Sequence, residues 1–177
     1  SDIISAEFDN YDDTEKKRLL EKMKEAIHST YKLIENLLEW SRVQTGKISA
    51  SPVSIDLHSL SKEIVSITQP SADMKSISIE NNISDTIKVF ADEDQLRFII
   101  RNIITNAIKF TGANGEITLN AEKIESLSGK RNFVNICISD NGVGISQENL
   151  EKIFMLDQKF SQKGTNEEQG TGLGLLL

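Results

Sequence analysis

The chain has 177 residues, 38% hydrophobic and 27% charged, a balance that fits a soluble globular protein rather than a disordered one. Its 27 acids against 20 bases leave a net charge of −7, which argues against a nucleic-acid binder, since a phosphate backbone calls for a basic surface. The single Cys137 excludes an internal disulfide framework and fits a reducing compartment, and no apolar run approaches the ~18 residues that span a bilayer.

Residues 1–8 carry Ile3, Ile4 and Phe8, which suit the tail of a helix, and residues 9–13 read as a turn. Asp12 and Glu15 then form a capping box for a long helix. Leu20, Met23, Ile27, Thr30, Ile34, Leu37 and Ser41 alternate steps of three and four, the seam of a coiled coil or helix bundle, and Gly46 ends it. Within this helix His28 reads as a surface histidine. Residues 47–53 form a linker in which Pro52 disfavours continued helix, and a domain boundary is expected there.

A short strand is predicted over 54–57 and a helix over about 59–74, with Pro70 interrupting or ending it; His58, beside the helix start, reads as structural or exposed. Residues 77–80 and 86–90 read as strands, separated by a turn at Asn81 and Asn82. Asp92 and Gln95 make a second capping box, opening a helix to Thr111. On it Leu96, Ile99, Ile100, Ile103, Ile104, Ala107 and Ile108 cover roughly half the cylinder at about 100° per residue, so the helix is expected to be mostly buried. Asn102, Asn106 and Lys109 nevertheless share one narrow face. Taken by itself that face is either a solvated stripe or a phosphate and metal site.

After a loop over 112–115, residues 116–124 and 133–139 alternate as strands, with a polar loop between them. Strands adjacent in pairs, with segregated helices, argue an α+β two-layer sandwich. Asp140-Asn-Gly-Val-Gly-Ile-Ser146 follows the last strand. Asp-Asn-Gly is a hairpin signal, yet Ser146 caps a helix over 147–154 instead of leading into another strand. Gly142 and Gly144 at such a junction allow close approach of a ligand, and the Asp140 carboxylate can accept from an exocyclic amine. Residues 155–169 are poor in aliphatics and read as a mobile lid. Gly170-Thr-Gly-Leu-Gly-Leu175 is neither a dinucleotide fingerprint nor a Walker loop, which leaves a glycine-rich helix start whose free N–H groups favour phosphate.

The ordered set, a helix with Asn102, Asn106 and Lys109, then Asp140-x-Gly-x-Gly, a polar lid and Gly170-Thr-Gly-Leu-Gly, closely resembles the ATP-binding catalytic domain of sensor histidine kinases, within the GHKL ATPases. Residues 33–47 resemble the second helix of the same family's dimerisation and phosphotransfer domain. The resemblance implies a GHKL-type α/β sandwich over 54–177, C-terminally incomplete, a linker over 47–53, and a partial helical-hairpin dimerisation domain over 1–46. It implies ATP and Mg²⁺ as cofactors, with Asn106 as the metal ligand. Lys109 is expected on phosphate, Asn102 near the triphosphate, and Phe110 against adenine. Asp140 would accept from the adenine amino group, with Gly142 and Gly144 keeping that wall close. Phe154 would anchor the lid, and Lys159 stands where many relatives direct an arginine at the γ-phosphate. Gly170, Gly172, Leu173 and Gly174 would present N–H groups to the phosphates.

Water-using GHKL ATPases carry a glutamate where this chain has Asn102, and the amide removes that general base, which suits a kinase with a histidine acceptor. Neither His28 nor His58 matches the family's acceptor context, so the acceptor is expected upstream of Ser1, and this chain is expected to bind ATP without phosphorylating itself. The expected partners are a response-regulator receiver domain and, in the intact protein, a second copy, with no nucleic acid and no membrane contact, and the expected location is cytoplasmic. The alternatives are a degenerate nucleotide-binding scaffold and a water-using GHKL ATPase.

Overall fold

The computed structural model describes residues 12–44, 50–125, 132–150, 153, 163–166 and 168. The chain divides into two compact units, Ser1–Lys47 and Ile48–Leu177.

The first unit holds helix α1, Asp13–Gln44. Its capping box is complete: the Asp12 carboxylate accepts from the backbone N–H groups of Thr14 and Glu15, and the Glu15 carboxylate accepts from Asp12 N–H. Leu20, Met23, Ile27 and Ile34 of the heptad seam are exposed on this helix.

In the second unit, strand β1 (Val53–Asp56) runs directly into helix α2 (Leu57–Asp73). Asp56 caps α2 by accepting from Ser59 N–H, and that bond holds its carboxyl below the ordinary carboxylate range. The predicted break at Pro70 does not occur there. The helix continues to Asp73 because Ala72 is wholly buried and its carbonyl accepts the N–H groups of Lys75 and Ile77, which turn the chain out of the helix. His58 has a structural role: its Nδ1, 2.6 Å from the Ile83 carbonyl oxygen, donates to it across the top of α2.

Strands β2 (Ser78–Asn81) and β3 (Lys88–Ala91) come next, then helix α3 (Glu93–Phe110), strands β4 (Glu116–Glu125) and β5 (Asn132–Asp140), and a single helical turn, α4 (Gln147–Leu150). Although β2 and β3 are neighbours in sequence, they do not pair. β3 pairs antiparallel with β1, while β2 pairs parallel with β4, which pairs antiparallel with β5. The sheets are thus a two-stranded ribbon and a three-stranded sheet of order β2-β4-β5. The link between β2 and β3 explains the separation, because it buries Ile83 and Ile87 in the core instead of closing a hairpin.

The core lies between the helices and one face of the larger sheet. Leu57, Leu60, Ile64 and Ala72 of α2 meet Ile100, Ile104, Ala107 and Ile108 of α3 and Ile117 and Leu119 of β4, all buried. Along β5 only Val134, Ile136 and Ile138 turn toward it, the alternation of a sheet with one solvated face. This is an α+β two-layer arrangement.

Candidate functional site

Helix α3 carries the site. Its cap, Asp92, accepts from Gln95 N–H at 3.1 Å and from Ser51 N–H at 3.0 Å. The Ser51 bond first, then the Gln95 bond, holds its carboxyl below the ordinary range. Three helix starts are therefore written in the same chemistry, an aspartate outside the first turn: Asp12, Asp56 and Asp92.

The buried stripe of α3 is narrower than the sequence pattern implies. Ile100, Ile104, Ala107 and Ile108 are buried, but Ile99 is 47% and Ile103 38% exposed. At 100° per residue Ile99 lies about 20° and Ile103 about 60° around the helix from Asn106. These two isoleucines therefore flank the polar face, and the open side of α3 joins apolar surface to Asn102, Asn106 and Lys109. That combination, apolar wall with a few polar groups, is the usual lining of a small-molecule site. Asn102 and Asn106 are both half-buried, and among the described residues neither side-chain amide is taken up by a hydrogen bond.

The last turn of α3 is where the site's parts are joined. A helix leaves its final carbonyls without intrahelical partners. Ala107 O accepts from Thr111 N–H. The Phe110 carbonyl accepts from Val143 N–H at 3.1 Å, which docks the Asp140 turn on the helix end. Within that turn Asp140 Oδ1 accepts from Gly142 N–H at 2.9 Å. A Cβ at Gly142 would run into the Phe110 carbonyl oxygen and lie 2.8 Å from Asp140 Oδ1, so only glycine lets the turn sit this close. Gly144 has open space around it but a φ of +67°, a left-handed conformation that glycine adopts without strain. Asn141 secures the turn from the other side, its Oδ1 accepting from Glu116 N–H.

The structure thus brings Lys109, Phe110, Asp140 and Gly142 together at one end of α3, with the Lys109 ammonium 4.8 Å from the centroid of the Phe110 ring. Asn106 and Asn102 stand on the same helix, about one and two turns back. Phe154, Lys159, Gly170, Gly172, Leu173 and Gly174 lie outside the described residues.

Sequence reasoning missed a further group at this helix end. Lys75, in the turn after α2, has a side chain only 5% exposed, and its Nζ donates to the carbonyls of Ile108 and Lys109 and to Thr165 Oγ1. It also pairs with Glu168 at 2.7 Å. Burial pushes the Glu168 carboxyl up, but Lys75 and the N–H groups of Glu168 and Asn166 outweigh it and leave it below the ordinary range. Thr165 adds two links of its own, N–H to Lys109 O and Oγ1 to Thr111 O. Part of the segment read as a mobile lid is therefore docked. A lysine in a polar turn carries no pattern that distinguishes it from a solvated one, so nothing in the sequence signals this role.

Residues 91–177 match the family model described as histidine kinase-, DNA gyrase B-, and HSP90-like ATPase. The adaptive-response sensory kinase SasA of Crocosphaera subtropica is 32% identical over 95% of this chain and 44% of its own length. Histidine kinase ShkA, solved full-length in complex with AMPPNP, superposes with a TM-score of 0.67 at 25% identity, over 92% of this chain and 33% of that one. Histidine kinase ThkA, solved in complex with the response regulator protein TrrA, shares the fold with a TM-score of 0.69 at 21% identity, over 92% of this chain and 45% of that one. The chain carries a sensor histidine kinase catalytic domain of the GHKL type. It spans from 12% to 44% of the length of curated relatives such as the hybrid signal transduction histidine kinase C of Dictyostelium discoideum and SasA. In this GHKL domain the Asp92 helix, α3, lies inside the matched region from its cap onward, and β1, α2 and β2 precede it. Membership of an ATPase family implies ATP binding. Among the described residues no helix is long and apolar enough to cross a membrane.

Proposed function

We propose that this domain binds ATP with Mg²⁺ between α3, the Asp140 turn and the segment that follows, and that in a longer parent it phosphorylates a histidine. The observation that carries the reading is the junction of Val143 N–H with the Phe110 carbonyl. It sets a carboxylate wall, Asp140, beside the helix end that bears Asn106 and Lys109.

The residues fit this cofactor. Asp140 spends Oδ1 on Gly142 N–H, which leaves Oδ2 to accept from the adenine amino group. Phe110 and the exposed flank of Ile99 and Ile103 offer apolar surface for a base. Among the described residues there is no cluster of three or more His, Cys, Asp or Glu for a metal. That suits Mg²⁺ carried in by phosphates, which keeps waters and takes one or two protein oxygens, here the amide oxygen of Asn106. Lys109 is assigned to phosphate, Asn102 to the same polar face, and Gly144 to the turn that keeps the adenine wall close. Lys159 is assigned to the γ-phosphate, and Gly170, Gly172, Leu173 and Gly174 to backbone donors toward the phosphates. When bound, ATP supplies the phosphoryl group and Mg²⁺ neutralises its charge. The chain's part is to position and neutralise, and Asn102 provides no carboxylate to activate water.

We read residues 1–46 as part of a dimerisation and phosphotransfer domain, 47–53 as a linker and 54–177 as the catalytic domain. The exposed Leu20, Met23, Ile27 and Ile34 on α1 support a homodimer in the intact protein, since such a seam is seldom left in water. The TrrA complex of ThkA supports a response-regulator aspartate as the next acceptor. A cytoplasmic location goes with that relay.

Radiolabelled ATP given to the folded full-length parent with Mg²⁺ tests the reading. Acid-labile phosphohistidine is expected, and its absence would sink the proposal. Asn106→Ala should abolish that label and leave the fold intact.

A further inference from the structure

Lys75 is a buried ammonium surrounded by four oxygens. Its Nζ lies 3.0 Å from Ile108 O, 3.0 Å from Lys109 O, 2.8 Å from Thr165 Oγ1 and 2.7 Å from Glu168 Oε1. An ammonium has three N–H groups, so these acceptors saturate it. A lysine needed only to close the helix would stop at the two carbonyls, where a cation at a helix C-terminus is favourable. This one also reaches across to Thr165 and Glu168. Those residues are tied back to the same turn of α3 through Thr165 N–H on Lys109 O and Thr165 Oγ1 on Thr111 O. Gly164 N–H in turn donates to Glu168 O, closing the docked piece on itself.

The docked piece lies along a side chain of the proposed site. A Cβ at Gly164 would stand 2.7 Å from Lys109 Cγ, so the Gly164 backbone rests directly against the Lys109 stem. Lys109 thereby lies against Gly164 along its stem and near the Phe110 ring at its ammonium. Glu168 balances the charge of Lys75, so the pair adds little field of its own. What it contributes is placement.

We propose that Lys75 is a positioning residue for the phosphate side of the nucleotide site: with Glu168 and Thr165 it clamps Gly164 against Lys109 and fixes where that ammonium can point. The inference rests on the nucleotide site proposed above. It concerns a residue that does not touch nucleotide and acts through Lys109.

The test is fluorescence titration of the 177-residue chain with TNP-ATP in Mg²⁺, followed by displacement with ATP and with adenosine. If the unaltered chain does not bind TNP-ATP, the nucleotide site fails and this inference falls with it. If it binds, Glu168→Gln should weaken ATP by about 5-fold and Lys75→Met by about 20-fold, within the usual range for coupled sites, while adenosine stays within about 2-fold. The split between ATP and adenosine is the signature, because general loosening of the fold would weaken both alike. Lys75→Met takes the donor from the buried Ile108 carbonyl and the cation from beside Glu168, and can fail to fold. In that event Glu168→Gln decides alone, its side chain being 37% exposed. Unchanged ATP affinity in the folded variants, or equal losses of ATP and adenosine, overturns the proposal.

Discussion

Replacing Gly142 with alanine tests the packing that joins the Asp140 turn to α3. The added methyl would collide with the Phe110 carbonyl oxygen and sit 2.8 Å from Asp140 Oδ1. Neither neighbour can step aside cheaply. The first is backbone at the end of a helix whose Ile104 and Ile108 are buried, and the second is held by Gly142 N–H itself. Overpacking of this kind costs about 1–3 kcal/mol. If the turn lifts to relieve it, the Val143 N–H to Phe110 O bond goes as well, for about 1 kcal/mol more. The expected loss is therefore about 2–4 kcal/mol in urea unfolding, together with weaker binding of TNP-ATP at denaturant-free conditions. Gly144→Ala is the control. It meets no atom within 4 Å and suffers only from its φ of +67°, a strain of about 1–2 kcal/mol. Its effect on nucleotide should be the smaller of the two. A Gly142→Ala chain within about 0.5 kcal/mol of the unaltered one, with unchanged TNP-ATP affinity, would refute the close-packed junction; that is the range of surface substitutions without a structural role.

Three other outcomes are expected. Asn106→Ala removes a half-buried amide without a protein partner among the described residues, so urea unfolding should move by no more than about 0.5 kcal/mol even as Mg²⁺-dependent phosphorylation in the parent is lost. Ile104→Ala, at a wholly buried position, should cost about 2–5 kcal/mol, while Ile99→Ala, 47% exposed, should cost well under half as much by the same measurement. Glu168 and Asp92 have lowered carboxyl pKa values. Their contribution to stability is fully present above the ordinary carboxylate range and is lost as pH falls below it, because protonation of the folded state is the harder one. An acid titration of the melting temperature should therefore show a shallower acid limb for Glu168→Gln; an identical limb would mean that the Lys75 pair carries no linked proton.

Much of the fold was legible because its signals are local. The capping boxes at Asp12 and Asp92 need only residues three apart; the first formed in full, while at Asp92 only the cap half formed, its carboxylate accepting from Gln95 N–H. Alternation located β4 and β5 to within about a residue or two, the usual uncertainty of element ends. The polar face of α3 and the Asp140 turn were visible for the same reason, since spacing along one helix and glycine at a strand end are properties of a few neighbouring residues.

Tertiary structure decided the rest. Period-2 patterning says that a segment is a strand and not which strand it joins, so the pairing of β2 with β4 and of β3 with β1 came only with the burial of Ile83 and Ile87 between them. The width of the buried stripe on α3 depended on what lies opposite it, and nothing among the described core residues covers Ile99 and Ile103. Lys75 is the extreme case. Its partners Thr165 and Glu168 are about ninety residues away in sequence, and a charge becomes a buried anchor only where the fold gathers enough oxygens around it. The sequence by itself determined a GHKL-type helix with a polar face and a glycine turn. Only the tertiary structure placed that turn on the helix end and locked the far segment against it, because those contacts draw on parts of the chain that no local pattern connects.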